Sequence, residues 1–173
     1  MNTNTGAIKA ANLLTESNLS GSGTLLYDLR HLTLAFVHHF SNSITIFDTA
    51  FCLLPTVHTI DTFTRYRANY LAHNQSAGNS ILYKPGGNWM MINYLSQVYE
   101  GKIYVNSLVK ADNETLIKNK HNTVIDVYDL LSGNYIESFY IPLRNGEALN
   151  SFNVSGKRLI VTDLTSVSIY QMP

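Results

Sequence analysis

The sequence predicts an all-β fold of repeated antiparallel sheets, and three observations carry that prediction. A five-residue phrase occurs three times: Ile44-Thr45-Ile46-Phe47-Asp48, Ile125-Asp126-Val127-Tyr128-Asp129 and Val167-Ser168-Ile169-Tyr170-Gln171. Each copy follows a second apolar run after a polar turn, the mark of a sheet unit repeated along the chain. The spacing is regular: 42 residues separate Tyr128 from Tyr170, and 81, close to two such periods, separate Phe47 from Tyr128. A repeat near that length matches the ~40–50 residues of a four-stranded propeller blade. Several strands are also apolar at both parities, as in Val124-Ile125 and Phe139-Tyr140-Ile141, which suits a sheet covered on both faces. Together these predict a partial β-propeller of three to four antiparallel four-stranded blades in an open arc. A Greek-key sandwich is the main rival, but it does not require the phrase to recur at this period.

Residues 1–21 are rich in Asn, Thr, Ser and Gly and predict a flexible lead-in, with only a weak, uncapped helical signal at Ile8–Leu14. The propeller domain is expected over 22–173, with its clearest blades at about 24–60, 91–142 and 148–172. In the first blade the strands are Thr24–Tyr27, Leu32–Phe40, Ser43–Asp48 after the Ser41-Asn42 turn, and Leu53–Ile60. Pro55 places the last of these at an edge or at a strand start. The second blade reads as Met91–Leu95, Lys102–Asn106, Thr123–Asp129 and Tyr135–Ile141, with Leu131–Asn134 as the turn before its last strand. The third reads as Ser151–Val154, Arg158–Val161 after the Ser155-Gly156-Lys157 turn, and Ser166–Tyr170, without a fourth strand. The gap at about 61–90 is expected to hold a degenerate copy around Ser80–Tyr83, with a turn at Pro85–Asn88, and leaves three and four blades both open.

Composition bounds the function classes. The chain has 173 residues, 45% of them apolar, which is enough for a sizeable core. Charged residues are 14%, below the roughly 25% of soluble domains, and Asn, Ser, Thr and 11 Tyr take their place. Twelve basic and twelve acidic residues cancel, and no basic stripe is visible, so no nucleic-acid partner is expected. Low charge also opposes self-association weakly. Cys52, the single cysteine, excludes an internal disulfide and a multi-cysteine zinc site. Its setting, Phe51-Cys52-Leu53-Leu54, predicts a buried, inert thiol. No apolar run approaches the ~18 residues of a membrane span. Met1–Gly6 has neither a basic n-region nor an apolar h-region, so the chain as it stands predicts a cytoplasmic location.

The segments Thr123–Ile136 and Gly156–Asp163 resemble successive parts of propeller blades, and over about 24–172 the chain resembles the C-terminal part of TolB-like six-bladed β-propeller proteins of bacteria. Propellers of the NHL and quinoprotein type share these motifs. The resemblance implies a periplasmic or cell-surface location for a longer parent, and no particular activity. A six-bladed ring needs roughly 240 residues at ~40 per blade, so the resemblance implies a fragment of about half a ring.

Candidate site residues are few. No residue is assigned to catalysis, a cofactor or a metal. His38 and His39 are neighbours on one strand and point to opposite faces, so they cannot share a metal. His58 reads as a histidine hydrogen-bonded within its sheet, and His31, His73 and His121 as turn residues without partners. No Gly-x-Ser-x-Gly elbow accompanies the Ser, His and Asp residues, Gly86-Gly87 does not open a convincing helix, and four Asn-x-Ser/Thr triplets carry little information in so Asn-rich a chain. The longest connection, Lys110 to Asn122, joins the second and third strands of the best blade. Its Lys110, Asp112, Asn113, Glu114 and His121 are the candidate binding-face residues. Asp112-Asn113-Glu114 lacks the spacing and central Gly of a calcium loop. Two function classes follow: a non-enzymatic binding or scaffold module, or the C-terminal part of a propeller lyase, hydrolase or oxidoreductase whose site lies in other blades. The expected partners are another protein, or a second copy through exposed blade faces and the unpaired edge at Ser166–Tyr170.

Overall fold

The computed structural model describes residues 21–64, 70–74, 81–85, 91–109, 121–143 and 148–172, with 70–74 and 81–85 as backbone only. The regular elements described are strands: β1 (Gly23–Asp28), β2 (Thr33–His38), β3 (Ser43–Asp48), β4 (Val57–His58), β5 (Tyr70–Asn74), β6 (Ile81–Pro85), β7 (Asn93–Tyr99), β8 (Lys102–Ser107), β9 (Asn122–Asp129), β10 (Tyr135–Pro142), β11 (Ser151–Ser155), β12 (Arg158–Thr162) and β13 (Val167–Gln171). They form a first sheet in the order β1-β2-β3-β4, a second as β10-β9-β8-β7, a third as β11-β12-β13, and a separate β5–β6 hairpin. Every pairing is antiparallel. The repeated phrase occupies the third strand of each sheet, as β3, β9 and β13. Among the described residues no helix is long and apolar enough to cross a membrane.

Polar residues at strand ends make the turns. Asp129 closes β9, and its Oδ1 accepts from the N–H groups of Leu131 (3.2 Å) and Ser132 (2.8 Å) and from the Ser132 hydroxyl (2.8 Å). Asp48 does the same at the end of β3, accepting from the Cys52 N–H at 2.8 Å. An Asx turn of this kind satisfies backbone donors where the ladder stops. Glu100 (φ 49°) and Gly101 (φ 75°) form the two-residue link between Tyr99 and Lys102. Two successive positive φ values are the type I′ geometry whose twist matches the strands it joins.

The core lies between the sheets. Leu26, Ala35, Val37, Ile44, Ile46 and Val57 of the first sheet pack against Ile103, Val105, Tyr128 and Leu130 of the second. The opposite face of the second sheet, with Tyr104, Ile125, Val127 and Ile141, packs against Phe152, Val154, Leu159 and Val161 of the third. Burying each Val, Ile or Leu contributes roughly 1.5–3 kcal/mol. The Tyr128 hydroxyl crosses to the first sheet and accepts from the Ile60 N–H at 3.1 Å. Burial, with the Asp126 carboxylate adding to it, pushes that hydroxyl far above the ordinary tyrosine range.

Several expectations change. The gap at 61–90 does not place another sheet between the first two: these pack directly on one another, and the described strands in the gap pair only with each other. The 81-residue spacing therefore reflects one sheet unit plus the chain that carries a hairpin. The fourth strand of the first sheet is Val57–His58 rather than Leu53–Ile60, with one isolated bridge from Leu53 to Phe47. Pro55 has no N–H to donate and interrupts that ladder. The first strand of the second sheet runs from Asn93 to Tyr99, later than Met91–Leu95. Cys52 is exposed, and so are Phe51 and Leu53. The Asp48 turn leaves these three side chains outside, while Leu54 returns beside β3, its N–H donating to the Ile46 carbonyl at 2.8 Å and its side chain packing on the core between the first two sheets. His31 has a partner, Asp28 Oδ2 at 2.6 Å. His73 lies on strand β5, and His58 is exposed on the edge strand β4. The lead-in expected over 1–21 lies outside the described residues up to position 20.

Gly133 gives a test of how the first two sheets meet. It has φ 70°, and a Cβ there would collide with Val57 of the first sheet. Gly133→Ala is expected to cost about 2–4 kcal/mol, from left-handed strain plus overpacking. Gly156→Ala, at φ 59° with open space around it, should cost only about 1 kcal/mol. Urea denaturation of both variants checks this, and equal losses would contradict the contact.

Candidate functional site

The connections between second and third strands lie together at one end of the sheets. They are the β2–β3 turn at 39–42, the β12–β13 turn at 163–166 and the described ends of the β8–β9 connection, 108–109 and 121. Of the candidate residues, Lys110, Asp112, Asn113 and Glu114 lie outside the described residues. His121 is exposed, and its carbonyl accepts from the Leu143 N–H at 2.8 Å. That bond ties the foot of the long connection to the end of β10.

A cavity of about 140 Å³ opens at the base of this connection. Its walls are Tyr94 from β7, Asn106 and Ser107 from β8, Leu108 and Val109 where the connection leaves, Asn122, Thr123 and Val124 where it returns, and Leu143, Ala148 and Leu149 on the approach to the third sheet. Asn106 is 1% exposed and forms the polar floor. Its Nδ2 donates to Thr123 Oγ1 at 2.6 Å and to the Val124 carbonyl at 2.9 Å. These bonds lock the amide between β8 and β9. Leu149 continues the cavity into the core between the second and third sheets. An apolar wall over a fixed amide can hold one side chain with a polar group near its base. The volume is below the ~300 Å³ at which small-molecule pockets begin.

The histidine pair sits at the same end. His38 Nε2 shares a hydrogen bond with Thr45 Oγ1 at 2.9 Å, while His39 bonds Ser22 Oγ at 3.1 Å and Thr24 Oγ1 at 3.0 Å. The two rings therefore engage different strands, as strand alternation dictates. Burial lowers both pKa values, and His39 lowers that of His38 further. Asn93 bridges the first two sheets here, its Nδ2 donating to the carbonyls of His38 (3.0 Å) and Ser41 (3.1 Å). Among the described residues no three of His, Cys, Asp and Glu converge as a metal site.

The cavity residues escaped sequence reasoning for a physical reason. Tyr94, Leu108, Leu143 and Leu149 are apolar residues near strand ends, and nothing local distinguishes them from core. Asn106, a polar residue closing the apolar run Ile103–Val105, was the one available signal. No protein-family model and no curated protein sequence matches this chain. Among solved structures it matches Kluyveromyces lactis Hsv2 at 17% identity and a TM-score of 0.26, over 87% of this chain and 62% of that one. The chain thus spans under two thirds of that protein, and a similarity at this level carries no argument about fold or activity.

The turn at Asp163 provides a titration test at this end. Its carboxylate accepts from the N–H groups of Thr165 (2.8 Å) and Ser166 (2.6 Å) and from both hydroxyls. The Thr165 N–H is the largest cause holding its pKa down at about 2. A lowered folded pKa stabilises the fold above the unfolded value of about 3.9, and that contribution fades as pH falls toward 2. A carboxyl-carbon NMR titration should place Asp163 at about 2; a midpoint at the unfolded value would mean the turn is not formed.

Proposed function

We propose that this chain is a binding module of β-propeller type, related to the TolB-like proteins its sequence resembles, that takes a peptide or protein segment at the strand 2–3 end of its sheets. The observation that carries this reading is the cavity of about 140 Å³ at the foot of the longest connection. Its size suits one anchoring side chain, and anchors seated in pockets dominate the energetics of protein recognition. The propeller element of the reading is supported by the placement of the first strands. β7 lies beside both β1 and β11, so the leading strands of the three sheets gather on one side. Blades around an axis would be arranged this way. Loops on such a scaffold carry binding more often than the strands do.

Peptides selected from a displayed random library against the full chain should bind through this cavity. Leu108 is 44% exposed on its wall, and Leu29 is 77% exposed in the β1–β2 turn at the other end. Leu108→Glu is expected to weaken selected peptides about tenfold, or ~1.4 kcal/mol, in fluorescence anisotropy, and Leu29→Glu to leave them unchanged. Equal effects of the two substitutions would place binding elsewhere.

A further inference from the structure

Among the described residues strand β13 is an unpaired edge of the third sheet. Two hydrogen bonds fix which of its backbone groups point away from β12. The Met172 N–H donates to the Lys157 carbonyl at 2.9 Å, and the Asp163 N–H donates to the Ser166 carbonyl at 3.1 Å. Residues 166 and 172 therefore turn their backbone groups toward β12. In an antiparallel ladder the direction alternates, so Ser168 and Tyr170 do the same, while Val167, Ile169 and Gln171 aim both N–H and C=O outward. The pairing with β12 is unbroken from Val167 to Gln171, with no bulge. The strand contains no Pro and no charge. Bulges, prolines and charges are the devices by which edge strands ordinarily resist pairing, and β13 has none of them.

The side chains narrow the choice of partner. Phe152, Val154, Leu159 and Val161 face the core, and Tyr170 packs against them half-buried. The far face is mixed: Ser151, Asn153 and Ser155 on β11, then Ile160 on β12 beside Ile169 on β13. Val167 is 67% and Ile169 64% exposed. This is no broad apolar face awaiting another sheet, as the sequence suggested. It is a short apolar row running to the edge and stopping there.

We propose that β13 pairs antiparallel with β13 of a second copy of this chain, about a twofold axis at Ile169. Each outward backbone group then finds a partner: Ile169 bonds Ile169 of the other copy, and Val167 bonds its Gln171. The row Ile160–Ile169 continues across the axis into the same row of the other copy. Cross-strand pairs of this kind are the unit of sheet stabilisation. On the core side, Tyr170 stands opposite the small Ser168. The neutral strand sets no charge against itself, a requirement that a twofold contact imposes on every residue of an edge. The two third sheets become one continuous sheet.

Two measurements on the full chain test this. Sedimentation velocity from about 1 to 200 µM should show a monomer–dimer equilibrium. Ile169→Lys, which opposes two ammonium groups on the axis, should weaken it at least about tenfold. Ile169→Pro removes an N–H that β12 does not use, so it should abolish the dimer while circular dichroism stays unchanged. Amide exchange should show protection at Val167, Ile169 and Gln171 that rises with concentration, against protection at Ser168 and Tyr170 that does not. A chain that stays monomeric at 200 µM, a dimer indifferent to both substitutions, or concentration-independent exchange at the three outward amides would each overturn the proposal.

Discussion

Strands β8 and β9 bury side chains of both parities, and the other sheets are placed by that fact. Ile103, Tyr104, Val105 and Asn106 are buried in succession on β8, and Ile125 to Tyr128 on β9. A strand alternates its side chains between two faces, so neither face of the second sheet can be left in water. The first sheet covers one face and the third covers the other. Truncating Ile103 or Ile125 to Ala would leave a cavity in a different interface, at a cost of roughly 2–5 kcal/mol each. Strands β2 and β3 of the first sheet show the same burial, Ala35 to His38 and Ile44 to Phe47, and the third sheet has weaker demands. β13 carries the third copy of the repeated phrase, yet no residue of it is fully buried.

The same constraint organises the candidate site. The cavity forms where the second sheet stops and the chain has not yet begun the third, so core side chains such as Leu149 border an opening. Asn106 belongs to the buried strand and to the cavity floor at once. Its two hydrogen bonds satisfy donors that burial would otherwise leave unpaired at about 1–3 kcal/mol. The floor is held by hydrogen bonds between β8 and β9.

The fold was legible in the sequence where a pattern repeats. The phrase ending in Asp48, Asp129 and Gln171 marked the third strand of each of the three sheets; of the apolar runs at both parities, Val124-Ile125 lies on β9, which is buried on both faces, while Phe139–Ile141 lies on β10, where Tyr140 is exposed. Its turns were legible too, because Gly133 and Gly156 sit at positive φ where glycine is favoured. Errors arose where local chemistry resembled something else. Apolar Phe51–Leu54 predicted a buried thiol at Cys52, but the Asp48 turn leaves Phe51, Cys52 and Leu53 exposed while Leu54 packs on the core. The spacing of 81 read as two periods because sequence distance cannot tell an intervening sheet from a hairpin set aside. The cavity left one signal in the sequence, Asn106 at the close of an apolar run, since its walls are made of residues distant in sequence.

The direct packing of the first sheet on the second, across the chain that carries the β5–β6 hairpin, is the claim on which this account rests. Methyl–methyl nuclear Overhauser effects in the full chain measure it. The Ile103 and Val105 methyls should show cross-peaks to Val37, Ile44 or Ile46, while Ile125 and Val127 show them to Leu159 or Val161. Cross-peaks from Ile103 and Val105 to strands of the hairpin, with none to the first sheet, would contradict the account.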